Sequence, residues 1–143
     1  MIYPILLYKN NKNILRKIST NITKNLNIKE LINNMFETMN YYNGIGLSAP
    51  QIGININLFI ISRNKMVFIN PKILKVSKKK IESKEGCLSI PNYYANILRY
   101  KTILIEFYNE KWVKYVIKFN KLLSIIFQHE YDHLQGKLII DYK

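Results

Sequence analysis

The sequence predicts an α+β domain, with mostly antiparallel sheet packed around a central helix near the C-terminal end and with an N-terminal helix besides. Three observations predict it. Apolar residues recur at helical spacing over 28–40 and again over 120–134. Short runs rich in Ile, Val, Phe and Tyr lie before, between and after those stretches, at strand length. No internal repeat and no linker rich in Pro, Gly or Ser divides the 143 residues, so a single domain over 1–143 is expected. With 48% of residues hydrophobic, a chain of this size can bury a substantial core.

Taken in order, Met1 to Leu7 is apolar but lacks a basic leader and a small-residue cleavage site, and reads as an edge strand or arm. In 28–40, Ile28, Leu31, Ile32, Met35, Phe36 and Met39 form one stripe, with Asn27 as cap, Glu30 as its box partner and Gly44 past the end. Residues 56–62 and 66–69 read as strands turning at Arg63-Asn64, with Lys72 to Ser77 a weaker third. Ile97 to Tyr108 and Trp112 to Phe119 read as a hairpin turning at Asn109-Glu110. In its second arm Val113, Tyr115, Ile117 and Phe119 face one way, Lys114 and Lys118 the other, and Trp112 is a packing residue. In the last helix Leu122, Ile126, His129 and His133 share one stripe, and Leu123, Phe127, Glu130 and Leu134 the adjacent one. A helix apolar on most sides belongs in the interior, and Gly136 stops it.

Composition narrows the function classes. No apolar run approaches the roughly 18 residues of a membrane span, so no membrane partner is expected. The single cysteine allows no internal disulfide and suits a reducing compartment. The formal charge of +13 is almost all lysine, with arginine only at 16, 63 and 99. Crowding with Lys, Asn, Ile and Tyr reads first as coding bias toward A and T, and second as attraction to an anionic partner such as ribosomal RNA. Lys78-Lys79-Lys80 reads as a solvated turn.

The chemistry lies in three segments. In His129-Glu130-Tyr131-Asp132-His133 the histidines are one helical turn apart, so both can reach one cation while Glu130 reaches a water on it. Two buried core histidines are the bland alternative, and two features speak against it. First, the ten residues after His133 hold no Glu and no His, so a third ligand comes from upstream. Cys87 is the candidate: a thiolate suits a borderline-soft metal, and Gly86 beside it lets backbone approach a bound group. Second, all five glycines, the cysteine and both histidines fall within 43–53, 85–89 and 128–136. The third segment, Gly44 to Gln51, has no dinucleotide or phosphate-loop spacing, so no nucleotide cofactor is expected. Gln51 is either an amide donor to an oxyanion or a surface amide.

These segments, Gly44-Ile45-Gly46-Leu47-Ser48-Ala49-Pro50-Gln51, Glu85-Gly86-Cys87-Leu88-Ser89 and Gln128 to Gly136, resemble in order and spacing the three signature motifs of the peptide deformylases. The likeness extends to Met35 to Met39, Ile69-Asn70-Pro71 and Ser89-Ile90-Pro91. It implies removal of formyl from the N-terminal methionine of nascent chains, in bacterial cytoplasm or an organelle, near the ribosome exit. It implies one divalent metal, natively Fe(II), with Zn or Ni able to replace it, held by Cys87, His129 and His133. Glu130 is then the general base, with Gln51 and the Leu88 backbone N–H holding the oxyanion. Gly44, Gly46, Glu85 and Gly86 line the substrate, and Ile45, Leu122 and Ile125 take the methionine side chain. Three departures stand out: Ser48 replaces the usual Ala, Tyr94 replaces a common substrate-facing Arg, and the chain reaches Lys143 without the C-terminal helix of many bacterial members. A ribosome contact would then use the basic surface.

Overall fold

Alternate residues of one short strand, Leu58 to Ile61, point into two different cores, and this segment organises the fold. Leu58 and Ile60 pack in one cluster, Phe59 and Ile61 in the other. Residues 1–142 are described by the computed structural model of the chain. The helices are α1 (Lys12–Leu15), α2 (Lys29–Tyr41) and α3 (Leu122–Leu134). The strands are β1 (Gly46–Ser48), β2 (Leu58–Ile61), β3 (Met66–Val76), β4 (Lys80–Cys87), β5 (Ile90–Tyr100), β6 (Thr102–Tyr108) and β7 (Lys114–Asn120). β1-β2-β3-β6-β7 form a five-stranded sheet, and β4-β5 a separate hairpin. All these pairings are antiparallel.

The first cluster packs Ile32, Met35 and Met39 of α2 on Leu58, Ile60, Val67 and Ile69. The second packs Ile126, Phe127 and Leu134 of α3 on Phe59, Phe68, Ile103, Ile105, Phe107 and Phe119. Phe127 meets Phe59 at 5.0 Å and Phe68 at 5.3 Å between ring centroids, both edge to face. Each such side chain contributes about 1.5–3 kcal/mol by leaving water. Burial on both faces explains why β2 is a continuous apolar run with no polar alternation.

The expected elements are present, with several differences. Residues 66–69 and the weaker strand from Lys72 join in one strand, β3, and the N-cap of α2 is Ile28, with Asn27 Oδ1 accepting from the Lys29 N–H at 3.2 Å and no capping box with Glu30 among the described residues. Of the two readings of Met1 to Leu7, the structure has the arm; its N–H groups bond out at Tyr3 to Thr38 (2.9 Å) and at Leu6 to the Gln51 carbonyl (2.8 Å). The stretch Ile97–Tyr108 is not one strand. Helix α3 claims the backbone of Tyr100, whose carbonyl accepts from Ser124 and whose N–H donates to Gln128. The chain therefore changes sheets at Lys101. The β6–β7 turn runs past Trp112 to Val113, because Asn109 Oδ1 accepts from the N–H groups of both Lys111 and Val113. Trp112 sits in that turn at φ 58° and packs on Tyr108. Finally, β4 and the first half of β5 carry few apolar residues, so no strand pattern announces them.

The end of α3 is tied down twice. Gly136 has φ +72°, and a Cβ there would lie 2.2 Å from the Arg16 carbonyl oxygen, so only glycine fits. Arg16 also holds Asp141, at 2.8 Å from Nη2 to Oδ1. The hydrogen bond from Arg16, aided by the Leu138 N–H and against some burial, holds the Asp141 carboxyl below its ordinary value. A depressed pKa adds stability above the unfolded value of about 3.9 that is lost as pH falls through the folded value. Wild type is therefore expected to be more stable than Asp141→Asn at pH 6, with the difference shrinking as pH drops below about 4. Urea titrations at several pH values measure this; a difference independent of pH would mean that the carboxylate charge is not what matters.

Candidate active site

Five chain segments meet at one cleft of about 530 Å³ between β1 and the β4–β5 hairpin. β1 is an edge strand of its sheet, so one side of its backbone faces no other strand. Gly46, within β1, is forced by crowding: a Cβ would come 2.7 Å from Glu130 Oε2. Gly86, at the tip of the hairpin, lies under the Tyr94 ring, where a Cβ would meet Cε1 at 2.9 Å. Gly44 lies between Leu88 and Met39. Ile45, Leu122 and Ile125 line the cleft beside Cys87, Leu88, His129 and Glu130.

At the floor, one ligand atom each from Cys87, His129 and His133 lies within 4.8 Å of the others. Cys87 Sγ is 3.4 Å from His133 Nε2. Donors that share a tetrahedral cation at ordinary bond lengths are separated by roughly 3.5 Å, so the spacing fits an ion. The sequence brings these atoms together by helix period on one side and by the Leu88-Ser89 turn after β4 on the other. Glu130 Oε1 and His133 Nδ1 are buried without a hydrogen-bond partner among the described residues. A thiol, two imidazoles and an unpartnered carboxylate oxygen are the donor set a divalent ion takes.

Electrostatics agree. Burial pushes Glu130 up to about 7. Burial, with His129 and Arg99 adding to it, pushes His133 well below its usual range, toward the neutral form that ligates. Burial also opposes a proton on His129, but Cys87, Glu130 and Glu85 outweigh it and raise this imidazole. Surroundings that favour positive charge there favour a cation too.

Gln51 is 2% exposed, which removes the surface-amide reading. Its Oε1 accepts from the Ser48 N–H and the Ser48 hydroxyl, each at 3.1 Å. The amide is thereby turned so that Nε2 donates to Ser89 Oγ at 3.2 Å and faces Cys87 Sγ at 3.6 Å. The backbone N–H of residue 48, which any residue would supply, thus fixes which end of Gln51 meets the cleft, and the serine hydroxyl adds a second bond to the same oxygen.

Glu85 lines the cleft, and its two carboxylate oxygens are engaged by neighbouring side chains. Arg99 takes both its oxygens, at 2.8 and 2.7 Å, and His129 Nδ1 shares one at 2.9 Å. Burial alone would raise this carboxyl, but Arg99 and His129 bring it down to about 2. With both oxygens engaged, the side chain orients His129. Arg99, itself 3% exposed, also donates to Asp132 at 2.7 Å and to Tyr142 at 3.0 Å. Sequence reasoning missed Arg99 and Asp132. The one available signal was an arginine retained where this composition supplies lysine.

A family model described as polypeptide deformylase matches residues 2–143. A peptide deformylase of Karelsulcia muelleri (strain GWSS) is 55% identical over 99% of this chain and 78% of its own length. The crystal structure of peptide deformylase from Thermotoga maritima superposes with a TM-score of 0.94 at 36% identity, covering 99% of this chain and 97% of that one. Peptide deformylase 1B, chloroplastic/mitochondrial, of Arabidopsis thaliana is 40% identical over 80% of this chain and 45% of its own length. Fold and matches together define a hydrolase of a metal-using class. The chain belongs to the peptide deformylase family, and it removes the formyl group from the N-terminal methionine of nascent polypeptides.

Proposed function

We propose that α3 is the central metal-binding helix of a single catalytic domain over 1–143, in which Cys87, His129 and His133 hold one divalent ion and Glu130 is the general base. The observation that carries this is the three-donor cluster with the unpartnered Glu130 oxygen among the same buried groups. Membership of the family makes Fe(II) the native ion in this reading, with Zn or Ni as substitutes; a thiolate with two imidazoles accepts all three and does not choose among them. Such an ion supplies Lewis acidity, which lowers the pKa of a water and polarises a carbonyl oxygen.

The chain's own groups do the rest. Glu130 takes a proton from the attacking water and returns it to the leaving amine, so formate and a free N-terminus result. Gln51 Nε2, held by Ser48, and the Leu88 N–H at the turn donate to the developing oxyanion. The open edge of β1 pairs with the substrate backbone, kept close by Gly44, Gly46 and Gly86. Ile45, Leu122 and Ile125 receive the methionine side chain. A bacterial cytoplasm or an organelle is the setting where formylated chains arise; no helix among the described residues is long and apolar enough to cross a membrane.

Protein loaded anaerobically with Fe(II) is expected to release formate from formyl-Met-Ala-Ser. Cys87→Ala is expected to abolish release and lower the bound metal. Full activity and full metal content in that variant would remove Cys87 from the ligand set.

A further inference from the structure

The N-terminal arm does not line the cleft, yet two of its backbone N–H groups bond to the segments that do. The Leu6 N–H donates to the Gln51 carbonyl at 2.8 Å, and the Tyr8 N–H donates to the Ser89 carbonyl at 2.9 Å. Gln51 belongs to the turn of helix that follows β1, and Ser89 to the tip of the β4–β5 hairpin. These segments carry the Gln51 amide and the Leu88 N–H. The hairpin is a separate sheet, so no strand ladder joins its tip to β1.

Two residues of chain span at most about 7 Å, so the arm limits how far apart those carbonyls can move. The arm is itself anchored elsewhere. Tyr3 and Ile5 pack on the first core, and the Tyr3 N–H donates to Thr38 Oγ1 at 2.9 Å. At the other end, Arg16 Cζ lies 5.1 Å from the centroid of the Tyr8 ring, and Arg16 in turn holds Asp141. Gln51 and Ser89 are 2% and 1% exposed. A carbonyl in so dry a place that loses its donor has no bulk water to turn to, so its segment shifts.

The separation matters because of how the Gln51 amide is shared. Its nitrogen carries two hydrogens. One donates to Ser89 Oγ at 3.2 Å; the other is turned toward Cys87 Sγ, 3.6 Å away, and is the one left for an oxyanion. If the two segments part, the bond to Ser89 breaks and the amide swings. A misplacement of about 1 Å in such a group can cost about a hundredfold in rate.

We infer that Leu6 and Tyr8 are positioning residues, whose backbone N–H groups hold the two oxyanion donors in register across the cleft. The inference rests on the reading of Gln51 and Leu88 as those donors.

The test is backbone ester substitution in Fe(II)-loaded protein. The α-hydroxy acid counterpart of Leu6, and separately of Tyr8, replaces N–H by oxygen and leaves the side chain unchanged. The control is the same change at exposed Leu7, whose N–H makes no hydrogen bond among the described residues. The esters at 6 and 8 are expected to lower kcat on formyl-Met-Ala-Ser at least about tenfold with KM within about twofold, because the oxyanion forms only on the way to the transition state. The Leu7 ester stays within about twofold in both. Adding the Leu6 ester to Gln51→Ala costs less than about threefold, since the group it positions is gone. In zinc-loaded protein with isotopically labelled glutamine, the Gln51 side-chain amide resonance moves in the Leu6 and Tyr8 esters and keeps its place in the Leu7 ester. Esters at 6 and 8 that match the Leu7 ester in kcat, or a Leu6 ester that costs as much in Gln51→Ala as in wild type, overturn the inference. Full kcat in Gln51→Ala is a different failure: it removes Gln51 as an oxyanion donor, and the inference falls with that reading.

Discussion

Glu130→Gln lowers turnover by about a thousandfold, with metal content and fold intact, in the expected result. General acid–base catalysis is worth about 10²–10⁴-fold, and the amide can neither accept nor return the proton. The shape is preserved, which matters because Glu130 is 3% exposed and packs directly on Gly46. Stability holds or rises, since a buried carboxyl at about 7 is replaced by a neutral group of the same size. Formate release, metal analysis and thermal melting on one preparation check all three. Undiminished release would end the case for Glu130 as base. Lost metal together with lost activity would show that the carboxylate acts through the ligand set instead.

Arg99→Ala has the largest expected effect on stability, a loss of about 3–5 kcal/mol. The guanidinium bonds Glu85 twice and Asp132 and Tyr142 once each, and all three partners are buried or half-buried. Removing it leaves two carboxylates without their cation in a poorly hydrated place. The damage reaches the site through Glu85, which loses its anchor while still bonded to His129 Nδ1. Metal affinity falls by about 10–100-fold, the usual cost of removing such support. Arg99→Lys keeps the charge but not the planar fork, so it recovers part of each loss. Urea unfolding gives the first quantity and chelator competition the second. Reduced stability with unchanged metal affinity would mean that the network braces the hairpin alone.

The candidate donor cluster was legible because this composition makes Cys, His and Gly rare, so Cys87, His129 and His133 stand out against a background of Lys, Asn and Ile. The helices were legible because α2 and α3 each present a continuous apolar stripe to a sheet. The supports of the site were not legible. Arg99 lies in Ile97-Leu98-Arg99-Tyr100, where an arginine in a strand reads as a solvated residue, and its burial follows only from partners 14 and 33 residues away. The resemblance set Glu85 beside the substrate, and only the tertiary contact with Arg99 shows how its oxygens are held. β4 was invisible because a hairpin with one wet face carries Lys, Glu and Ser where a sheet interior would carry Ile and Val.

The second core has a consequence for how the chain comes into being. Phe59, Phe68, Phe107 and Phe119 lie on strands that precede α3, and Phe127 closes over them from α3. Synthesis proceeds from the N-terminus, so the sheet is made with one aromatic face uncovered, waiting for its last large element. The same delay governs the donors: 36 residues separate Gln51 from Cys87, and 46 separate Cys87 from His133. Contacts of such range make for slow folding and a sticky intermediate. An enzyme that works on growing chains is thus itself idle while it grows, its thiol formed early and its histidines arriving late.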